Sequence, residues 1–180
     1  MLGKLATKMK LHLGGKHPHP DWKILDIEPR PEVDIVGDAA DLSQFEDNSI
    51  EMIYASHILE HFHYGLNYEL AFVLAEWYRV LMPGGKLFVS VPNLQILCWL
   101  YCQPLLSVEE RFHIMRMMFG GQTNEYDIHK VGFDADILGT FLTETGFKNI
   151  QVVDEFGIFP DSSSLRFLGH LISLNMIAEK

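Results

Sequence analysis

Short apolar runs, each bounded by glycine, proline or polar residues, recur through the first half of the chain. They cover residues 10–15, 22–27, 33–37, 50–55 and 86–91. Runs of this length between turn residues are typical of strands that are buried on both faces of a parallel sheet. The pattern therefore predicts five strands, the first of which ends in a pair of glycines.

One helix is predicted between the fourth and fifth of these strands. Apolar residues recur at helical spacing from Asn67 to Leu81, and Met82-Pro-Gly-Gly85 follows as a typical helix end. Strand, helix and strand in this order predict two parallel strands joined by a right-handed crossover. The helix should cover one face of the sheet at this point.

The connections between the first three predicted strands are too short for helices. Seven residues separate Gly15 from Lys23 and five separate Ile27 from Val33, with two prolines in each connection. A helical crossover normally takes about a dozen residues or more. One face of the sheet should therefore lack its early helices, and either a later segment or a second subunit, as in a homodimer, should cover it.

The second half of the chain predicts three more helices and two strands. A helix is predicted over 94–101, a second starts at the capping box of Ser107 and Glu110 and runs to about Phe119, and a third extends from Asp134 to Gly146. Residues 148–154 and 171–178 are predicted as final strands joined by a long loop. Without repeats or linkers, residues 1–180 are interpreted as a single domain.

Charge and hydropathy restrict the partners and the compartment. The chain has 14 Lys and Arg against 24 Asp and Glu, a net charge of −10, which argues against nucleic acid as a partner. The basic first ten residues lack the long apolar core of a secretory signal. The longest apolar run, 94–106, is too short to span a bilayer. We therefore predict no membrane span and a cytoplasmic location.

The cysteines and the early histidines give weak signals. Cys98 and Cys102 are predicted to be buried or half-buried free thiols on one helix face. His12, His17 and His19 lack the spacing of a metal site with a third ligand, so no metal is predicted.

Four segments occur in one order at close spacing. They are Val36-Gly-Asp-Ala-Ala-Asp-Leu42, Asp47-Asn-Ser-Ile50, Tyr54-Ala-Ser-His-Ile-Leu-Glu-His61 and Glu76-Trp-Tyr-Arg-Val-Leu-Met-Pro-Gly-Gly-Lys-Leu87. Together they resemble the core of class I S-adenosylmethionine-dependent methyltransferases of the small-molecule type, as in bacterial predicted methyltransferases. The resemblance implies a Rossmann-like α/β fold, mostly parallel with the last strand antiparallel, and S-adenosylmethionine as cofactor. The expected activity is methyl transfer to a small-molecule acceptor that the sequence does not identify.

The resemblance and the chemistry of the cofactor suggest where it binds. Ligands of open α/β sheets lie beyond the carboxyl ends of the strands. At the end of the second strand, Asp26 is the candidate for the ribose hydroxyls, with Glu28 as its rival. Asp38 follows the third strand and is placed to accept from the adenine amino group. The remaining expected cofactor contacts are Gly14, Gly15, Ile27, Ala39, Ser56 and His57.

The glycine loop departs from the family pattern. The family usually has Gly-x-Gly followed by a helix, whereas this chain has one adjacent glycine pair and no helix behind it. The helix N-terminus that would help to hold a carboxylate is therefore missing or replaced, and Lys16 is a candidate for the positive charge. The altered loop bears on the affinity for cofactor more than on the fold.

Catalysis of methyl transfer depends mainly on in-line positioning, because the sulfonium already activates the methyl group. An oxygen or nitrogen acceptor also needs a base, and the candidates are His57, His61 and His129. Residues 94–133 are predicted to form an insertion that acts as a substrate lid, centred on the Met-rich and aromatic segment 111–132.

Two other functions are compatible with these patterns. A non-catalytic binding or assembly protein could use the same fold. An NAD-dependent oxidoreductase would need Gly-x-Gly-x-x-Gly opening a helix, which this loop lacks.

Overall fold

A seven-stranded sheet forms the centre of the computed structural model, which describes residues 9–180. The strand order is β3-β2-β1-β4-β5-β9-β6, and all neighbours are parallel except that β9 runs antiparallel to β5 and β6. The seven strands are β1 (Met9–Leu13), β2 (Trp22–Asp26), β3 (Ile35–Val36), β4 (Ile50–Ser56), β5 (Leu81–Pro92), β6 (Lys148–Val153) and β9 (Ser173–Glu179). The predicted α/β class and its antiparallel last strand are confirmed.

Four α-helices, three short 3-10 helices and one small hairpin complete the described chain. The helices are α1 (Glu69–Val80), α2 (Leu94–Tyr101), α3 (Val108–Phe119) and α4 (Ala135–Thr145). The hairpin consists of β7 (Arg166–Phe167) and β8 (His170–Leu171), and it occupies the end of the long loop predicted between the last two strands. The capping box of Ser107 and Glu110 is present at the start of α3, and the Asp134 carboxylate caps α4.

Two of the differences between predicted and observed boundaries have a clear cause in the backbone. The helix α1 begins two residues late, because Asn67 and Tyr68 both have a left-handed backbone with φ of 55°. The predicted turn at Pro83-Gly-Gly85 is part of β5, since the Gly84 N–H donates to Lys180 O and the Lys180 N–H donates to Gly85 O. Pairing with Lys180 thus helps to start β5 before Lys86, where the sequence pattern starts the strand.

One face of the sheet packs against α1 and α4. Trp77 of α1 is fully buried there, and its indole N–H donates to Ala39 O at 2.8 Å. The sheet contributes mainly leucine, isoleucine and valine to this core, among them Leu11, Leu13, Leu25, Ile53, Val89 and Val91. Aliphatic burial of this kind supplies most of the stabilisation of the fold.

The opposite face, where the early helices are missing, is covered by the segment after β6. Phe159 of this segment packs edge-on against Trp22 and Tyr54 of the sheet. The hydroxyl of Tyr54 donates to Asp161 at 2.9 Å, which ties the segment to the sheet. Of the two alternatives predicted for this face, the later segment is therefore the one observed.

The outer side of α2 and α3 is unusually apolar. Val108, Phe112, Met115 and Phe119 form an exposed stripe along α3. Cys98 is a free thiol and is exposed, as is Cys102, so the predicted burial of the two thiols was wrong.

Within residues 9–180, no helix has the length and apolar character needed to cross a bilayer. The prediction that the chain lacks a secretory signal rests mainly on residues 1–8, which lie outside the described residues.

Arg79 joins α1 to the loop that precedes β4. Its guanidinium forms a two-point pair with Glu76 at 2.6 and 2.9 Å and donates to Asp47 at 2.6 Å. It also donates to the carbonyl oxygens of Leu42 and Phe45. These bonds hold the loop against the helix and raise the pKa of Arg79 further above its usual value, the pair with Glu76 contributing most.

Arg79→Met is expected to lower the free energy of unfolding by about 1–3 kcal/mol, because the loop carbonyls lose charged donors while the alkyl packing remains. Chemical denaturation monitored by Trp fluorescence measures this. Arg166→Met is the control, since Arg166 is half exposed and lies 3.7 Å from Glu155. That change should stay within about 0.5 kcal/mol. Equal effects of the two changes would contradict the assignment.

Candidate cofactor and catalytic site

A cavity of about 640 Å³ opens at the carboxyl ends of β1, β2 and β4. This is the edge at which open α/β sheets bind ligands, and the order of strands reverses there between β1 and β4. Seven of the predicted cofactor contacts line it, namely Gly14, Asp26, Ile27, Asp38, Ala39, Ser56 and His57. Lys16, the predicted substitute for a helix N-terminus, also lines the cavity.

The two glycines after β1 have different structural roles. Gly14 lies at the cavity wall with φ of +68°, a conformation that favours glycine, and its N–H donates to Leu25 O at 2.8 Å. Gly15 lies behind the wall, where a Cβ atom would come within 2.6 Å of the His12 ring. Gly15 therefore makes room for His12, which is 2% exposed and stacks on Phe159 with ring centroids 4.0 Å apart. Burial lowers the pKa of His12 to about 4.

Asp26 is held at the end of β2 by a partner that the sequence analysis missed. One carboxylate oxygen accepts from the Glu28 N–H at 2.8 Å, and the other accepts from Arg30 at 2.9 Å. Arg30 also donates to Gly15 O and to Glu32, so it links the loop after β1 to the end of β2. The Asp26 side chain is 12% exposed and that of Glu28 is 57% exposed, although both line the cavity.

Asp38 and Ala39 form the turn after β3. The Asp38 carboxylate accepts from the Ala40 N–H at 2.8 Å, so it does cap its own turn, as one interpretation of the sequence allows. It also faces the cavity, and the two roles are compatible because a carboxylate has several lone pairs. The bond from Trp77 to Ala39 O fixes the backbone of this turn against the core.

Two buried polar atoms at the cavity wall have no hydrogen-bond partner within the described part of the chain. They are Ser56 Oγ and His12 Nδ1. Buried polar atoms are normally paired, and an unpaired one beside a cavity indicates a ligand or ordered water. The wall therefore has the carboxylates, backbone turns and unpaired polar atoms that suit a polar nucleoside ligand.

His57, directly after β4, has a left-handed backbone with φ of 57°, which is unusual for a residue with a side chain. Its Nε2 lies 2.9 Å from Ser173 Oγ, and because that hydroxyl donates to Ser162 O, Nε2 is the donor of the pair. On its other side, Nδ1 lies 3.2 Å from Glu60 Oε1. The strained backbone thus holds an imidazole between β9 and a buried carboxylate.

Glu60 is the second site residue that the sequence analysis missed, although it lies within the quoted His-Ile-Leu-Glu-His segment. It is fully buried, and His57, His61 and His129 surround it. Burial acts to raise the pKa of Glu60, but the contact with His57 and the charges of His61 and His129 outweigh burial and lower it. Burial lowers the pKa of His129, against the opposing effect of Glu60. The structure thus brings all three predicted catalytic histidines to one carboxylate.

Comparisons with known proteins agree with this architecture. Residues 21–89 match the family model described as a methyltransferase domain. No curated protein matches the chain. A similar structure is that of a SAM-dependent methyltransferase from Archaeoglobus fulgidus, 14% identical with a TM-score of 0.61, in which 96% of this chain covers 86% of that one.

Two further structures have a bound cofactor or its product. One is the 1,6-didemethyltoxoflavin-N1-methyltransferase of Burkholderia thailandensis with S-adenosylhomocysteine, 16% identical with a TM-score of 0.55, covering 95% of this chain and 70% of that one. The other is human N-acetylserotonin methyltransferase with SAM, 14% identical with a TM-score of 0.54, covering 96% and 47%. The chain thus spans about half the length of the human protein.

Residues 21–89 thus resemble a methyltransferase domain. The class I fold predicted from the sequence is confirmed. The predicted likeness to S-adenosylmethionine-dependent methyltransferases is confirmed for the matched residues 21–89 and for the fold.

A second cavity, of about 280 Å³, adjoins the first. The two cavities share His57, Asp127 and Ser162 in their walls, and His129 lines the second one. Arg116 from α3 gives the second cavity a positive charge. The histidine cluster around Glu60 therefore lies where the two cavities meet.

The segment after α3 borders both cavities. Residues 123–127 line the first, and Asp127 also lines the second. Asp127 holds the segment in shape by accepting from the Gly121 N–H and from the Thr123 hydroxyl. The Lys130 N–H donates to Glu60 O at 2.7 Å and anchors the segment beside the cluster. These contacts hold the segment at the edge of both cavities.

Proposed function

We propose that this chain transfers the methyl group of S-adenosylmethionine to a small-molecule acceptor. The observation that carries the proposal is the cavity at the ends of β1, β2 and β4, with Asp26 and Asp38 at successive strand ends in its wall. Asp26 would accept from the ribose hydroxyls and Asp38 from the adenine amino group. Gly14, Ile27, Ala39 and Ser56 would complete the contacts, and Gly15 would act through the packing of His12.

The acceptor would occupy the second cavity, whose volume of about 280 Å³ suits a small molecule. In the reaction, the acceptor atom forms a bond to the methyl carbon, the bond from carbon to sulfur breaks, and S-adenosylhomocysteine remains. A hydroxyl or amine acceptor also loses one proton. His57, His61 and His129 at the junction of the cavities are the groups we propose to promote that loss.

The remaining predictions concern partners and location. The segment after β6 covers the sheet face that lacks early helices. That face is therefore not a reason to expect the predicted homodimer. A homodimer, the absence of a nucleic-acid partner and a cytoplasmic location all stay predictions. The lid role of residues 94–133 is part of the proposal, supported by the placement of residues 123–127 beside both cavities.

Thermal denaturation with added ligands tests cofactor binding. S-adenosylhomocysteine at about 100 times its dissociation constant should stabilise the folded protein by about 2.7 kcal/mol, and S-adenosylmethionine should also raise the melting temperature. NAD at the same concentration is the control and should give no shift. A shift with NAD alone would favour the oxidoreductase alternative. Folded protein that responds to neither adenosyl ligand would be a non-catalytic relative.

A labelling experiment then tests for a small-molecule acceptor. Protein incubated with methyl-tritiated S-adenosylmethionine and a cell extract should transfer label to a low-molecular-mass product that chromatography separates from S-adenosylmethionine. Transfer to RNA or protein instead would contradict the proposed acceptor class. Heat-denatured protein in the same extract gives the background.

A further inference from the structure

The carboxylate of Glu60 lacks the partners that a buried charge normally has. The side chain has no exposed surface, and neither oxygen has a donor in hydrogen-bond geometry among residues 9–180. The His57 contact at 3.2 Å is an ion-pair distance that does not meet that geometry. His129 Nε2 approaches the same oxygen to 3.9 Å, and His129 Nδ1 is also buried without a partner. Buried charges are normally paired or coordinate a metal.

We propose that Glu60, His61 and His129 bind a divalent transition-metal ion, and that Zn²⁺ suits their donor set. One ligand atom from each residue lies within 4.8 Å of the other two. Tetrahedral zinc with bonds of about 2.0–2.2 Å holds its ligand atoms about 3.4 Å apart. Small side-chain rotations of the two imidazoles would bring the three ligand atoms to this shorter separation. Two imidazole nitrogens and one carboxylate oxygen form a ligand set that zinc enzymes use.

The second nitrogen of His61 has the contact expected of a metal ligand. His61 Nδ1 lies 3.1 Å from Ile128 O, and since a carbonyl can only accept, Nδ1 is the donor. The lone pair of Nε2 is then free to face the ion. A ligating histidine typically donates its other N–H to a backbone carbonyl or carboxylate, which fixes the tautomer. The imidazole rings of His61 and His129 lie edge to face, with centroids 5.0 Å apart.

His57 is the neighbour that would orient the site without binding the ion. Its Nε2 is already bonded to Ser173, and its Nδ1 faces Glu60 Oε1. With a proton on each ring nitrogen, His57 would direct one oxygen of Glu60 and leave the other available to the metal. This arrangement separates the roles of the histidines, with His61 and His129 as ligands and His57 as a positioning residue.

The open coordination position would face the junction of the two cavities, because His61 lines the first and His129 lines the second. Three protein ligands and one open position are typical of catalytic zinc rather than structural zinc. An acceptor hydroxyl bound there would release its proton to water more readily, because a metal ion lowers the pKa of a bound oxygen. This consequence, unlike metal binding itself, rests on the proposed methyl transfer.

Metal binding is tested with untagged protein freed of metal by chelator and dialysis. Zn²⁺ titrated by calorimetry against a competing chelator should bind at one equivalent per chain, with submicromolar affinity. Co²⁺ should give visible absorption bands of four-coordinate geometry. Glu60→Gln and His129→Ala should each weaken Zn²⁺ binding by about 100-fold or more, and His57→Gln by about tenfold.

The matched control is His63→Ala. His63 also contacts a carboxylate, with Nδ1 2.9 Å from Glu69, but it lies outside the cluster and is 39% exposed. Its replacement should leave Zn²⁺ affinity unchanged. Zn²⁺ binding weaker than about 10 μM in the unmodified protein, or binding that Glu60→Gln and His129→Ala leave intact, would overturn the site. His61→Ala, at a half-buried position, serves as the test if a melting curve shows that Glu60→Gln does not fold.

The same samples separate this proposal from the proposed function. S-adenosylhomocysteine binding is measured in the metal-free protein and again with Zn²⁺ present. Zn²⁺ binding without adenosyl-ligand binding would support the metal site and contradict the cofactor proposal. Adenosyl-ligand binding without Zn²⁺ binding would do the reverse.

Discussion

Replacing Asp26 with asparagine is expected to weaken S-adenosylhomocysteine binding by about 100-fold. A carboxylate can accept from both ribose hydroxyls, and each such bond to a charged group is worth about 1.5–3 kcal/mol. An asparagine has only one oxygen and would lose at least one of the two bonds. Calorimetric titration of folded protein measures the change in affinity directly.

Glu28→Gln is the matched control for this experiment. Glu28 lies at the same strand end and in the same cavity wall, but its side chain is 57% exposed and forms only a 3.6 Å contact with Arg30. Its replacement should change the affinity less than threefold. A large loss in Glu28→Gln with little loss in Asp26→Asn would assign the ribose to Glu28, the rival that the sequence left open.

Arg30 adds a structural consequence to the Asp26 prediction. Because Arg30 pairs with Asp26 and Glu32, which together raise the pKa of Arg30, Asp26→Asn also removes one partner of a shared guanidinium. A melting curve without ligand therefore accompanies the titration. Loss of stability alone, with unchanged affinity at a temperature where the protein is folded, would contradict the ribose contact.

The stability of the domain should fall as the pH is lowered from about 6.5 to about 4, and His12 should be a main cause. Burial lowers the pKa of His12 in the folded state from 6.5 to about 4. Between these values the unfolded chain binds a proton that the folded chain does not, so the folded state loses stability as pH falls. A difference of about 2.5 pKa units corresponds to about 3 kcal/mol.

Chemical denaturation at a series of pH values measures this effect. His12→Leu should flatten the curve between pH 6.5 and 4, because leucine has no proton to bind and Nδ1 has no partner to lose among the described residues. His63→Gln, which changes a more exposed imidazole, should keep the steep curve of the unmodified protein. Parallel curves for His12→Leu and the unmodified protein would show that His12 is not the group responsible.

The positions of the candidate cofactor residues were largely predictable, because they depend on residues close together in the chain. Asp26 and Asp38 each come directly after a strand, and parallel strands bring their carboxyl ends to one edge of the sheet. The partner of Asp26 was not predictable in the same way. Arg30 lies among prolines and acidic residues, and only the path of the loop after β2 returns its guanidinium to Asp26 and Gly15.

The contacts among the candidate catalytic residues were not predictable from the sequence. The three histidines were singled out for their chemistry, but His129 is separated from Glu60 by 69 positions and Ser173 from His57 by 116. Their meeting requires the segment after α3 to fold back over the end of β4, and it requires β9 to insert beside β5. No local pattern encodes such contacts, so Glu60 looked like an ordinary polar residue of its segment.

The sequence by itself determined the α/β class, the family resemblance and the ends of most helices. These follow from the spacing of apolar residues and from caps such as Ser107 and Asp134, which act within a few residues. Only the tertiary structure decided what covers the sheet face without early helices and what surrounds Glu60. Burial and pairing of those groups arise between segments far apart in the chain, where the free energy depends on packing rather than on local preference.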